Sequence, residues 1–204
     1  MIGSRAGCVV QAKDRTLAQG ALAKMRSGKT RLLINATLFQ LSWFVCVLGA
    51  AQGSSLVGIA ATLIAVAVLA LMSEAPVDVG KLAALGLGAG LVVETVFLGS
   101  GLVSYASPGP VAALPPVWIL AMWVGFAAIT NELLSWLHGR WSLQILFGLV
   151  GAPLSYLAGS RLGAMTFHEP IFAGVLLIAI LWAVAFPLLM AGAAAIARGH
   201  AIDV

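Results

Sequence analysis

The stretch Leu82-Ala-Ala-Leu-Gly86-Leu-Gly88-Ala-Gly90-Leu-Val-Val-Glu94-Thr95-Val-Phe-Leu-Gly99-Ser100-Gly101-Leu-Val103 decides the fold. It is an apolar run of 22 residues whose polar side chains are Glu94, Thr95 and Ser100. A run of that length spans a membrane as a helix. A carboxylate near the middle of such a helix costs on the order of 3 kcal/mol even on lenient insertion scales, so it is expected to face protein or water rather than lipid. Gly86, Gly90 and Glu94 recur every four residues and share one helix face. Small residues at that spacing let a neighbouring helix approach closely. Glu94 therefore reads in two ways. It is either a carboxyl group hydrogen-bonded to a close neighbour, or a contact for a proton or substrate.

Working outward, five further apolar runs appear: Leu32–Ala50, Leu56–Met72, Val117–Leu137, Leu143–Ala158 and Ile171–Ala197. Each is near the length that the hydrocarbon core requires. The fifth run in chain order is interrupted by Gly148, Gly151 and Pro153, and the last carries Pro187. The composition agrees, with 61% hydrophobic and 9% charged residues over 204 positions. Soluble domains carry roughly 25% charged residues. The expected fold class is all-α, a polytopic membrane bundle of six transmembrane helices over residues 31–198. A basic, disordered tail precedes it (1–30, with Met25 an alternative start) and a short tail follows it (199–204).

Charge sets the expected orientation. The formal net charge is +4, and seven of the eleven Lys and Arg residues precede the first apolar run. With the N-terminus inside, Lys81, Arg140 and Arg198 also fall inside, and only Arg161 falls outside. By the positive-inside rule both ends are cytoplasmic. The basic tail lacks the aromatic interleaving or folded platform that a nucleic-acid site needs, so no nucleic-acid partner is expected.

Several familiar patterns fail on inspection. Ser27-Gly28-Lys29-Thr30 resembles the end of a phosphate-binding loop, but Ala23 stands where the first glycine belongs. The glycines at 86, 88 and 90 lie inside a span, with no βαβ unit around them. His138, His168 and His200 are scattered, so neither a metal nor any other cofactor is expected. Cys8 and Cys46 lie in the tail and in a span, and they are not expected to pair.

The remaining polar residues define two candidate sites. Asn35 and Gln40 in the first span, Asn131, Glu132 and Ser135 in the fourth, and Gln144 in the fifth all enter from the cytoplasmic side. Gln40 lies about 14 Å along its helix from Arg31, and Glu94 about 20 Å from Lys81. With Glu94 and Thr95 these residues form a candidate intramembrane polar pocket. Isolated interhelical hydrogen bonds would also explain the amides. Glu132 lies close enough to the interface to snorkel. The second candidate is on the outer side, where Pro153, Ser155, Tyr156 and Arg161 mark a helix loosened by proline and glycine. Arg161 there either marks the end of the span or holds a lipid phosphate or a carboxylate.

The pieces Asn35 with Phe39-Gln40 and Trp43-Phe44, Glu94-Thr95, Pro116-Val117-Trp118 with Trp123, Asn131 with Trp136-Leu137, and Gly151 to Ala164 carry a resemblance. Over roughly Arg31 to Leu189 the chain resembles a family of bacterial multi-pass inner-membrane proteins catalogued only as a domain of unknown function, family 2878. Ala152 stands where the family pattern has a second glycine. The resemblance implies a compact helical membrane protein and transfers no activity. It also implies an association with enzymes that modify membrane fatty acids, near which such proteins are often encoded. Three functions follow as expectations. The first is an accessory protein acting on membrane lipids or small apolar molecules, with lipid-modifying enzymes or a second copy of the chain as partners. The second is a proton-coupled transporter using Glu94. The third is a membrane-embedded enzyme with Glu94 or Glu132 as acid or base.

Overall fold

The computed structural model describes residues 28–109, 111 and 113–202. The expectations about the basic tail before residue 28, Cys8 and the last two residues lie outside them. The chain folds as a polytopic membrane helix bundle. Its helices are α1 (Gly28–Ala51), α2 (Ser55–Met72), α3 (Pro76–Gly99), α4 (Val117–Ala128), α5 (Thr130–Leu133), α6 (Trp141–Arg161) and α7 (Ile171–Ile202). Five of them, α1, α2, α3, α6 and α7, are long and apolar enough to cross a membrane. Their outward faces are apolar, with Leu56, Leu71 and Phe172 more than 70% exposed. Such a surface suits lipid and would aggregate in water.

The fourth element is shorter than the sequence predicts. The run Val117–Leu137 is helical only to Ala128, then breaks at Ile129 into α5 and a 3₁₀ turn, Ser135–Leu137. The break has a local cause. Thr130 Oγ1 donates to Ala127 O at 2.7 Å, and Asn131 Nδ2 donates to Ala193 O of α7 at 3.1 Å. The Thr130 hydroxyl competes with a continuing backbone ladder, and the Asn131 amide ties the segment to α7 instead. At α6 the difference runs the other way. Pro153 does not break the helix, which is continuous from Trp141 to Arg161. Here α7 lies so close that a Cβ at Gly148 would sit 2.4 Å from Trp182 O. Packing of that tightness accommodates a proline inside a continuous helix.

The uncharged loop after α3 is not featureless. Val103–Tyr105 (β1) pairs antiparallel with Met165–Phe167 (β2), in the register Val103↔Phe167 and Tyr105↔Met165. Val103, Tyr105, Met165 and Phe167 are buried, while Ser104 and Thr166 point outward. This long-range hairpin, whose strands are separated by α4, α5 and α6 in sequence, closes one end of the bundle. Helix α4 is the hub, packed against α1, α2 and α3, and α3 in turn contacts α7, which carries α6. Helices α1 and α6 barely approach one another, and the space between them lies over α4.

Candidate functional site

Glu94 is fully buried. Tyr105 Oη donates to its Oε2, while Tyr156 Oη and Trp123 Nε1 donate to its Oε1, the indole at 2.7 Å. Three donors from three other elements thus meet one carboxyl group. The glycine face explains how they reach it. A Cβ at Gly90 would lie 2.6 Å from Trp123 Cγ, and one at Gly86 would lie 2.4 Å from Ala127 Cβ. Only glycine lets α4 come close enough to put the Trp123 indole on Glu94. Tyr105 arrives from β1, so the hairpin is tied to α3 through this carboxyl group. The donor rings are themselves held in place. Trp123 stacks on Trp182 with centroids 4.2 Å apart, Phe97 meets Tyr156 edge-on at 5.8 Å, and Tyr105 meets Trp118 edge-on at 5.7 Å.

Beside this knot lies a cavity of about 450 Å³. Its floor is α4, with Trp118, Met122, Trp123 and Phe126. One wall is α1, with Phe39, Gln40, Trp43 and Val47. The other is α6, with Phe147, Gly151, Ser155, Tyr156 and Gly159; Trp182 and Met165 also line it. The volume lies in the range of small-molecule sites. Among the described residues, no charged side chain lines it. Trp123 and Tyr156 form part of the wall and bond Glu94 from behind it. Glu94 therefore does not touch the cavity. It sets the two rings that do.

The residues singled out from sequence are distributed as follows. Gln40, Ser155 and Tyr156 line the cavity. Thr95 is exposed, about 100° around α3 from Glu94. Asn35 is buried against α2 and α4, and its Oδ1 lacks a hydrogen-bond partner. Asn131 bonds α7. Gln144 Nε2 donates to Leu137 O at 2.8 Å. Arg31 Nε lies 2.9 Å from Glu132 Oε2, close enough for charge attraction but out of line for a hydrogen bond, and its Nη1 lies 3.9 Å from Glu74. Ser135 is exposed, and its carbonyl accepts from the His138 amide. Pro153 is buried in α6, and Arg161 is exposed at its last turn. The structure joins neither Asn35 nor Asn131 to Glu94. No group of His, Cys, Asp and Glu able to hold a metal occurs among the described residues.

The family described as "Protein of unknown function (DUF2878)" matches residues 32–188, which takes in the Glu94 knot and every wall of the cavity. The chain belongs to that family. No curated protein and no solved structure matches the chain. Family membership brings no activity with it, so the site must be read from its own geometry.

Sequence reasoning missed Tyr105 and Trp182, and it named Trp118 and Trp123 only as carriers of the resemblance, not as site residues. One signal was available. Trp118, Met122 and Phe126 recur every four residues along α4, an aromatic and Met stripe on a single face. Tyr105 carried no comparable signal, because it lies in a loop whose pairing with residues 165–167 is set at long range.

Proposed function

We propose that this protein is a non-catalytic component of a bacterial inner (cytoplasmic) membrane, N-in and C-in, that holds an acyl chain or a similarly apolar molecule in the cavity between α1, α4 and α6. The cavity carries the reading: it is roomy, aromatic and aliphatic, and lined by no charged side chain among the described residues. An apolar ligand loses nothing on entering such a site, whereas an ion would be left without a partner. Support also comes from the enclosure of Glu94. A proton carrier exchanges protons with water, and a catalytic acid or base touches its substrate. Glu94 is sealed behind Trp123 and Tyr156 and is committed to three donors. The role of accessory factor in lipid or fatty-acid modification is the form of this reading that suits such a cavity.

The test fills the space. Gly151 faces the cavity, and a Cβ there meets only Phe147 at an ordinary 3.5 Å. Gly151→Phe combined with Ser155→Phe is expected to leave the helical circular dichroism unchanged and to remove apolar molecules that co-purify with the wild type, read by mass spectrometry of an organic extract. Equal recovery from both proteins would rule the reading out.

A further inference from the structure

The walls of the cavity say where a ligand would lie, and one charge says how it would end. Along α6 the wall runs from Phe147 to Gly159, about 18 Å at the helical rise. One leaflet of hydrocarbon is about 15 Å deep, half the core thickness. The α6 wall thus matches one acyl chain of one leaflet in length. Leu154 and Ala158 belong to its wall, and Arg161 follows them at three- and four-residue spacing on the same face. Arg161 is exposed, lies about 4.5 Å along the axis beyond Ala158, and makes no ion pair among the described residues. The nearest carboxylate in sequence at this end, Glu169, accepts from the Ile171 amide. At the opposite end Arg140 stands about 10 Å before Phe147, well beyond the wall.

We propose that Arg161 is the headgroup contact of this site, and that the ligand is an amphiphile with one acyl chain in the cavity and an anion, carboxylate or phosphate, at its hairpin end. This inference rests on the reading of the cavity given above. A guanidinium presents a fixed fork of donors that matches either anion bidentately. An arginine without an ion pair, one turn beyond the α6 wall of an uncharged cavity, is the complement of a molecule that is apolar along its length and charged at one tip.

Four tryptophans, Trp43, Trp118, Trp123 and Trp182, line the site and serve as reporters. The full-length protein in neutral detergent would be titrated at mildly alkaline pH with dibromostearic acid, its methyl ester, and dibromostearoyl lysophosphatidic acid. Bromine quenches indole fluorescence on contact. Exposed Trp136 and Trp141 contribute a background, which is measured in the Gly151→Phe/Ser155→Phe protein. The anionic probes are expected to quench beyond that background at about tenfold lower concentration than the ester, as befits a hydrogen bond to a charged group. Arg161→Ala should abolish this advantage and leave the ester unchanged, while Arg140→Ala should leave all three curves unchanged. A preference for carboxylate would identify a fatty acid, and a preference for phosphate a phospholipid; either supports the assignment. Equal binding of ester and acid by the wild type, or an effect of Arg140→Ala in place of Arg161→Ala, would overturn it while the cavity reading stood. Quenching that never exceeds the background would sink the cavity reading itself.

Discussion

The two ends of this bundle use polar residues in opposite ways. Near the hairpin, Glu94, Tyr105, Tyr156 and Trp123 converge, so that four elements share one carboxyl group. Near Arg31, Asn131 and Gln144 each spend one amide on one backbone carbonyl, and Glu132 pairs with Arg31. The first arrangement joins α6 and β1 to the tightly packed pair α3 and α4. The second links its segments one pair at a time, Asn131 to α7 and Arg31 to Glu132, with Gln144 bonding locally. A shared acceptor couples its partners, and isolated hydrogen bonds in membranes contribute little singly.

The comparison breaks most directly at Glu94. Glu94→Leu removes the acceptor of three buried donors, each costing about 1–3 kcal/mol when left unmade. A fall in melting temperature on the order of 10 °C is expected in detergent. Asn131→Leu removes one bond, typically about 0.6 kcal/mol in a membrane interior. If thermal unfolding of the two variants shifts equally, convergence carries no special weight.

A smaller effect should separate glycines on the same helix. Gly90→Leu forces side-chain atoms into Trp123, and overpacking of this kind costs about 1–3 kcal/mol. Gly88 has open space beyond it, so Gly88→Leu should be neutral. Tryptophan emission read alongside the melt would report whether Trp123 has moved, and a shift in the Gly88 variant would contradict the assigned face.

Tyr105→Phe and Tyr156→Phe each delete one hydroxyl, for about 1 kcal/mol. They sharpen the comparison because their structural reach differs. Tyr105→Phe is expected to speed hydrogen exchange in the hairpin strands, and Tyr156→Phe to leave that exchange alone while altering cavity probe binding. Identical exchange profiles would show that the hairpin is not held through Glu94.

The smallest effect belongs to the Arg31 end. Burial, and secondarily Arg198, hold His138 below the ordinary imidazole value. The unfolded chain therefore takes up the proton first as pH falls. Stability from this residue is whole above about 6.5 and declines as pH drops toward the folded value. A melt series between neutral and mildly acid pH should show a slight slope that His138→Gln removes; a slope of opposite sign would contradict the burial of the ring.

Much of the bundle was legible in the sequence because hydrophobic length is a local property. Five of the six predicted spans are helices, although α3 runs Pro76–Gly99 rather than Leu82–Val103, and the face made by Gly86, Gly90 and Glu94 does meet a close neighbour. The fourth span was overestimated because Thr130 bonds back one turn to Ala127 and Asn131 finds a carbonyl on α7 that only the folded arrangement supplies. For the candidate site, sequence could single out Glu94, Gln40, Ser155 and Tyr156, but not the division between them. Glu94 lies behind the cavity wall and the others lie on it.

By itself the sequence determined that this chain partitions into a membrane as apolar helices, and that one carboxyl group among them needs partners. Both follow from transfer energies, which depend on composition over a short window. Only the tertiary structure decided who those partners are. A loop tyrosine, an indole on α4 and a phenol on α6 come together through contacts 11, 29 and 62 residues apart. Side-chain pairing across such distances depends on how helices pack, and no local pattern encodes it.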